Sequence, residues 1–249
     1  MSSLTIKTGV PVRYRAGRVR ALFDAMAETY GWGWWLSGGQ LVRWRHQLAQ
    51  ALRVPAHGPA HVVDLMAGGA DLWPALCRRF GEDLRVDAVD FSAPMLARAA
   101  ALGANPRLVL YEANALATPL PAGRATAVTC AFGLKTLLPT AYAALATEAA
   151  RLLRPGGEVA LVEFVLPGSG WRRRLMHRYL ALILPVLGWL QPAAAVHAEL
   201  LKYASAGLDL PMLRLVLEQA GFRHVRQRRL GLGYAVLVTG RYQPAADTM

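Results

Sequence analysis

The apolar positions of this chain alternate between two spacings. Short β-branched runs end in acids or turn residues, and between them apolar side chains return every three or four positions, as on one face of a helix. Runs at 61–65, 84–90, 107–111, 125–131 and 158–165 predict five strands. The intervening stretches predict helices over 72–80, from a Ser92 cap with Pro94 in its first turn, and over 141–153. A turn at Arg154-Pro155-Gly156-Gly157 should separate the last helix from the strand at 158–165. A helix over 211–220 and strands over 222–229 and 233–242 complete the sheet. Sustained alternation of strand and helix predicts a doubly wound α/β domain.

Two segments stand outside this alternation. Before the first strand, residues 1–18 form a basic arm. Val19, Leu22, Phe23, Met26, Ala27 and Tyr30 predict an amphipathic helix over 19–30. An aromatic, glycine-broken stretch and a helix over 40–52 follow, so residues 19–58 read as a helical lid on a single domain spanning 19–249. Beyond Pro167, residues 171–179 are basic and helical and residues 180–196 carry no charge. Pro185, Gly188, Gln191 and Pro192 interrupt that run, which predicts a buried or interfacial broken helix rather than a membrane span. Residues 168–212 therefore read as a cap inserted into the domain.

The first strand carries the chemistry. His61-Val-Val-Asp-Leu-Met-Ala-Gly-Gly-Ala-Asp-Leu72 is a strand running through a small-residue turn into a helix. Asp90, 22 residues beyond Gly68, stands where such folds keep the acid that grips ribose hydroxyls. A dinucleotide would set its pyrophosphate on the helix N-terminus, yet that position holds Asp71. S-adenosylmethionine has no phosphate and carries a sulfonium and an ammonium, to which Asp64 and Asp71 are electrostatically suited. Glu112-Ala-Asn114-Ala115, past the third strand, adds an amide and a backbone N–H at the ligand-binding edge.

Composition narrows the partners. The 249 residues are 54% hydrophobic, enough core for one domain. Cys77 and Cys130 show no metal-ligand spacing and read as core thiols. No apolar signal-type segment opens the chain, so a cytoplasmic location is expected, at most peripheral to the inner face of the cell membrane. The formal net charge of +12 leaves nucleic acid and anionic lipid as candidates. The fourth strand ends in Phe132-Gly-Leu-Lys135 rather than the Asp/Asn-Pro-Pro-aromatic pattern of base-amino methyltransferases, which disfavours nucleic acid.

Taken together, Phe23-Asp-Ala-Met-Ala-Glu-Thr-Tyr30, Val63-Asp-Leu-Met-Ala-Gly-Gly-Ala-Asp71, Val89-Asp-Phe-Ser92 with Met95-Leu96, Asn114-Ala115, Phe132-Gly-Leu-Lys135, Leu153-Arg-Pro-Gly-Gly157 and Val162-Glu-Phe164 resemble the ubiquinone/menaquinone biosynthesis C-methyltransferases. The resemblance covers roughly residues 19–242. It implies a class I methyltransferase fold, a seven-stranded, mostly parallel sheet with an antiparallel C-terminal strand, and S-adenosyl-L-methionine as cofactor. It further implies that Ala67, Gly68 and Gly69 line the methionine moiety and Asp90 holds the ribose, with Phe91 and Met95 also among the cofactor-binding residues. Asn114 and Ala115 would meet the adenine, with Ala131 beside the cofactor. Ala70, Gly31, Lys135-Thr136 and residues 200–211 depart from the family pattern.

The acceptor implied is a prenyl-quinol or similar lipophilic phenol. Its unperturbed pKa lies near 10, so a cation beside it would help ionise the ring. Lys135 is the first candidate, with His177, Tyr179, His197 and Tyr203 behind it. Two alternatives remain open here: N- or O-methylation of a phospholipid headgroup or secondary metabolite, and a silent methyltransferase-fold module binding anionic surfaces. The cap is expected to meet an anionic membrane or the second subunit of a homodimer.

Overall fold

The protein is described by a computed structural model covering residues 15–31, 37–53, 58–101, 103, 105–167, 169–190 and 208–244. His197 and Tyr203 lie outside the described residues, as do most of the basic arm and the aromatic stretch 32–36.

Seven strands form one sheet: β1 (Ala60–Leu65), β2 (Leu84–Asp90), β3 (Leu108–Glu112), β4 (Ala125–Ala131), β5 (Leu153–Phe164), β6 (Phe222–Leu230) and β7 (Ala235–Tyr242). Their order is β3-β2-β1-β4-β5-β7-β6. β1 pairs in parallel with β2 and β4, and β7 runs antiparallel between β5 and β6. The strand order reverses between β1 and β4, so the crevice beyond their C-terminal ends is the ligand position of such a sheet.

Alternating side chains feed the two sides of the sheet. Val62 packs with Trp44, Leu76 and Val86 on one face, while Val63 packs with Tyr142, Leu145 and Phe222 on the other. Helices α1 (Ala16–Met26), α2 (Gln40–Ala51), α3 (Trp73–Phe80), α4 (Ala93–Ala100), α5 (Tyr142–Leu152), α6 (Gly170–Leu190) and α7 (Leu210–Gln219) surround it. Val19, Leu22 and Met26 of α1 form a small separate cluster with Phe23, Tyr30 and Phe91.

Three expectations are corrected. The first helix ends at Met26 rather than at residue 30, and the chain turns there. The expected turn at 154–157 lies inside β5, whose pairing with β4 shifts register between Ala125 and Ala127. Gly156 takes φ 81° there. A Cβ on Gly157 would stand 2.9 Å from the Arg154 carbonyl oxygen, so only glycine lets the extra residues fold into the ladder. Finally, α6 continues through Pro185 and Gly188 to Leu190. An interior proline removes one backbone bond, worth about 3 kcal/mol, and a helix of 21 residues retains the rest. Among the described residues no helix is long and apolar enough to cross a membrane.

Candidate active site

β1 delivers its chain into a turn with alternating left-handed residues, Met66, Gly68 and Ala70, all at φ 56°. Such backbone costs on the order of 1–2 kcal/mol at each non-glycine position and is held by its surroundings. The Ala67 N–H donates to the Val89 carbonyl at 3.0 Å, and the Gly68 N–H donates to Asp90 Oδ2 at 2.8 Å. A Cβ on Gly68 would meet Met95 Cε at 3.0 Å, and one on Gly69 would stand 2.9 Å from Arg98 Nε. A side chain at either position would have to displace Met95 or Arg98.

Asp90 closes β2. Its Oδ1 accepts the Ser92 N–H at 2.9 Å, while burial raises its pKa against the pull of the Ser92, Gly68 and Phe91 amides. Ser92 caps α4, accepting the Met95 N–H, and donates its hydroxyl to Asp24 Oδ1 at 2.5 Å. Phe23 meets Phe91 edge-on at 6.5 Å, and Arg20 reaches Glu112 at 2.6 Å. These contacts seat α1 against the ends of β2 and β3. Asn114 forms its own turn, Oδ1 accepting the Leu116 N–H at 3.0 Å, beside buried Ala115.

On the other side of the crevice β4 ends at Ala131, and Phe132 follows at φ 67°. Asp64 accepts the Thr129 hydroxyl at 2.7 Å. Burial pushes its carboxyl up to about 7, with the Thr129 bond and Arg45 pulling the other way. Lys135, 11% exposed at its side chain, donates Nζ to the Phe132 carbonyl and to Glu163 Oε1, the latter at 3.1 Å. Glu163 is fully buried and also accepts the backbone N–H groups of Lys135 and Phe164.

Three groups had been missed as site residues. Tyr30 fell among the apolar helix positions, yet its phenol lies 4.0 Å from where a Gly68 Cβ would stand, and burial, with Asp71, Asp90 and Glu163 nearby, pushes it up to about 12. Glu163 was legible in principle, since a carboxylate inside an apolar strand must find a cation. Arg45 of α2 lies 3.5 Å from Asp71, with Arg98 at 3.8 Å on its other oxygen. Asp71 is therefore matched by arginines rather than standing free, as its sequence context had implied. His177 lies exposed on α6, in a basic depression of about 490 Å³ with Gly170, Arg173, Arg174 and Arg178.

A carboxylate at the end of β2, a turn that carries Asp71 where a dinucleotide would set its pyrophosphate, and Asp64 at the end of β1 are the arrangement expected for S-adenosylmethionine. Comparison with known proteins decides the matter. The ubiE/COQ5 methyltransferase family matches residues 12–241. This chain belongs to that family.

Among its relatives, the ubiquinone/menaquinone biosynthesis C-methyltransferase of Methylobacterium nodulans is 31% identical over 237 residues, covering 93% of each chain. The demethylmenaquinone methyltransferase of Thermus thermophilus is 33% identical over 210 residues, covering 82% of this chain and 92% of that one. In fold the chain is similar to the Burkholderia thailandensis 1,6-didemethyltoxoflavin-N1-methyltransferase solved with S-adenosylhomocysteine, at TM-score 0.62, 18% identity and coverage of 94% and 91%. The ubiE/COQ5 chain is thus a class I S-adenosylmethionine-dependent methyltransferase.

Asp64 gives this methyltransferase a pH dependence. Its folded pKa of about 7 exceeds the ordinary 3.8, so its favourable contribution to stability is present below about pH 3.8 and lost as pH rises through 7. Cofactor binding runs the opposite way, because a cation prefers the carboxylate. Affinity for S-adenosylmethionine should rise by up to about tenfold between roughly pH 6 and pH 8, measured by calorimetry. Asp64→Asn should flatten that rise; an unchanged profile removes Asp64 from the cofactor's surroundings.

Proposed function

We propose that this enzyme methylates a ring carbon of a prenyl-quinol or a similar lipophilic phenol. The observation carrying this reading is the Lys135–Glu163 pair beside Phe132, at the crevice edge of β4. S-adenosylmethionine supplies a methyl group already activated on sulfur. The chain's own residues must then align the ring, exclude water and hold negative charge on its oxygen. A shielded lysine suits the last task, and Glu163 positions it. α1 and α2 act as the lid over the cofactor. The names of the relatives agree with this acceptor class.

Incubation with a demethylated prenyl-quinol and labelled methyl donor should place the label on a ring carbon, located by NMR. An O-methyl product, or no transfer, overturns the reading. Lys135→Met should lower kcat by about 100-fold or more while S-adenosylhomocysteine affinity stays unchanged. Lys135→Arg, which keeps the charge, should retain most activity. Equal turnover in all three proteins removes Lys135 from the chemistry.

Such an acceptor dissolves in a bilayer, and α6 is the surface we assign to reaching it. Trp171, Leu175, Tyr179, Leu182, Val186 and Trp189 share one exposed stripe, Trp189 being 81% exposed. Tyr234 donates its hydroxyl to the Arg172 carbonyl at 2.8 Å, and Met176 packs against the core, so the helix's inner side is anchored to the domain. Arg172, Arg174 and Arg178 flank the stripe, each worth about 1 kcal/mol at an anionic surface, and tryptophan settles at headgroup level. Sedimentation with phosphatidylglycerol vesicles should rise with anionic lipid and fall with salt. Replacing Arg172, Arg173, Arg174 and Arg178 by glutamine should abolish it. Protein left in the supernatant at low salt refutes docking, and a dimer in ultracentrifugation would assign the stripe to a second subunit.

A further inference from the structure

Two arginines border the cofactor turn with buried donors that the protein itself leaves unused. Arg45, 8% exposed, comes from α2 and lies 5.2 Å over the Phe132 ring. Arg98 comes from α4, its stem pressed against the Gly69 backbone, where any Cβ would collide with it. Both direct an Nη2 atom toward Asp71, at 3.5 and 3.8 Å. These separations exceed hydrogen-bond length, so attraction is Coulombic and the donors are not consumed. On each guanidinium the Nε–H is buried and has no hydrogen-bond partner.

Buried donors of this kind are rarely left unmatched, because desolvating them is costly. The planar donors of a guanidinium match a carboxylate. Arg45 also bears on both Asp64 and Tyr30, so cation and anion sites adjoin. An amino-acid end, ammonium beside carboxylate, needs this juxtaposition.

We propose that Arg45 and Arg98 form the seat for the carboxylate of the cofactor's methionine moiety. The ammonium faces the Asp64 side, while Asp71, between the two guanidiniums, offsets their mutual repulsion and keeps the seat formed before the ligand arrives. The inference concerns the cofactor alone and does not depend on the acceptor.

Calorimetry with S-adenosylhomocysteine and its decarboxylated analogue, which lacks only that carboxylate, tests it. Wild-type enzyme should prefer S-adenosylhomocysteine by roughly 10- to 100-fold, the range of a charge-assisted bond. In Arg45→Gln, and in the more exposed and so more tolerant Arg98→Gln, affinity for S-adenosylhomocysteine should fall toward that of the analogue, whose own affinity should stay constant. Thermal melts of both variants report folding. If Arg45→Gln does not fold, the wild-type preference and Arg98→Gln still decide the question. A wild-type enzyme indifferent to the carboxylate, or variants that weaken both ligands equally, would overturn the assignment. So would unchanged S-adenosylhomocysteine affinity with a raised acceptor KM, which would give the arginines to an anionic acceptor.

Discussion

Asp90→Ala should weaken S-adenosylhomocysteine binding by roughly 10- to 1000-fold, since each charge-assisted bond to a ribose hydroxyl contributes about 1.5–3 kcal/mol. The upper end is expected here because Asp90 does more than meet the ligand. Its two oxygens hold the Gly68 and Ser92 amides at 2.8 and 2.9 Å. Removing it therefore also frees the turn at 66–71. The two buried amides also imply a loss of stability of about 1–3 kcal/mol each where no water replaces the carboxylate. Asp90→Asn, which keeps an acceptor oxygen, should recover part of both. Wild-type affinity in Asp90→Ala would remove it from the cofactor site.

Glu163→Ala should be among the most destabilising single changes in the molecule. Glu163 is 0% exposed, and its loss strands the Lys135 ammonium and two backbone amides. Breaking one side of a buried pair costs about 3–5 kcal/mol, a third or more of a typical domain's stability. For a chain of this size the midpoint of thermal unfolding should fall by roughly 6–20 °C. The pair is coupled, so Glu163→Ala combined with Lys135→Met should be more stable than the sum of the two losses allows. A double variant that is strictly additive would show that the two residues act separately.

The frame of the molecule was legible because burial writes itself into local pattern. β2 and β4 fall at Leu84–Asp90 and Ala125–Ala131, each an apolar run bounded by polar or turn residues. The turn at 66–71 and Asp90 were legible because backbone demands for glycine and a terminal carboxylate are local facts. Pairings across the fold were not. Arg43 and Arg45 look alike in the helix that carries them, yet Arg43 is exposed and Arg45 buried, and the difference arises only from Phe132 and Asp71, far along the chain. Tyr30 was hidden by a helical spacing that the chain abandons after Met26. Pro185 suggested a break that α6 does not make, since proline removes a single rung from a ladder of many.

Among the described residues the outermost strand, β6, pairs only with β7, so its other edge has no strand partner there. Arg223, Arg226, Arg228 and Arg229 stand exposed along it, and the strand is bulged between Arg223 and Arg226, with His224 at φ 54°. Two such edges approaching one another would bring like charges together and meet out of register, so strand-to-strand growth of a continued sheet between molecules is blocked. The arginine surplus that drew attention to nucleic acid thus has a second use. It opposes edge-to-edge association of copies of the enzyme, and concentrated salt, by screening those arginines, weakens that protection.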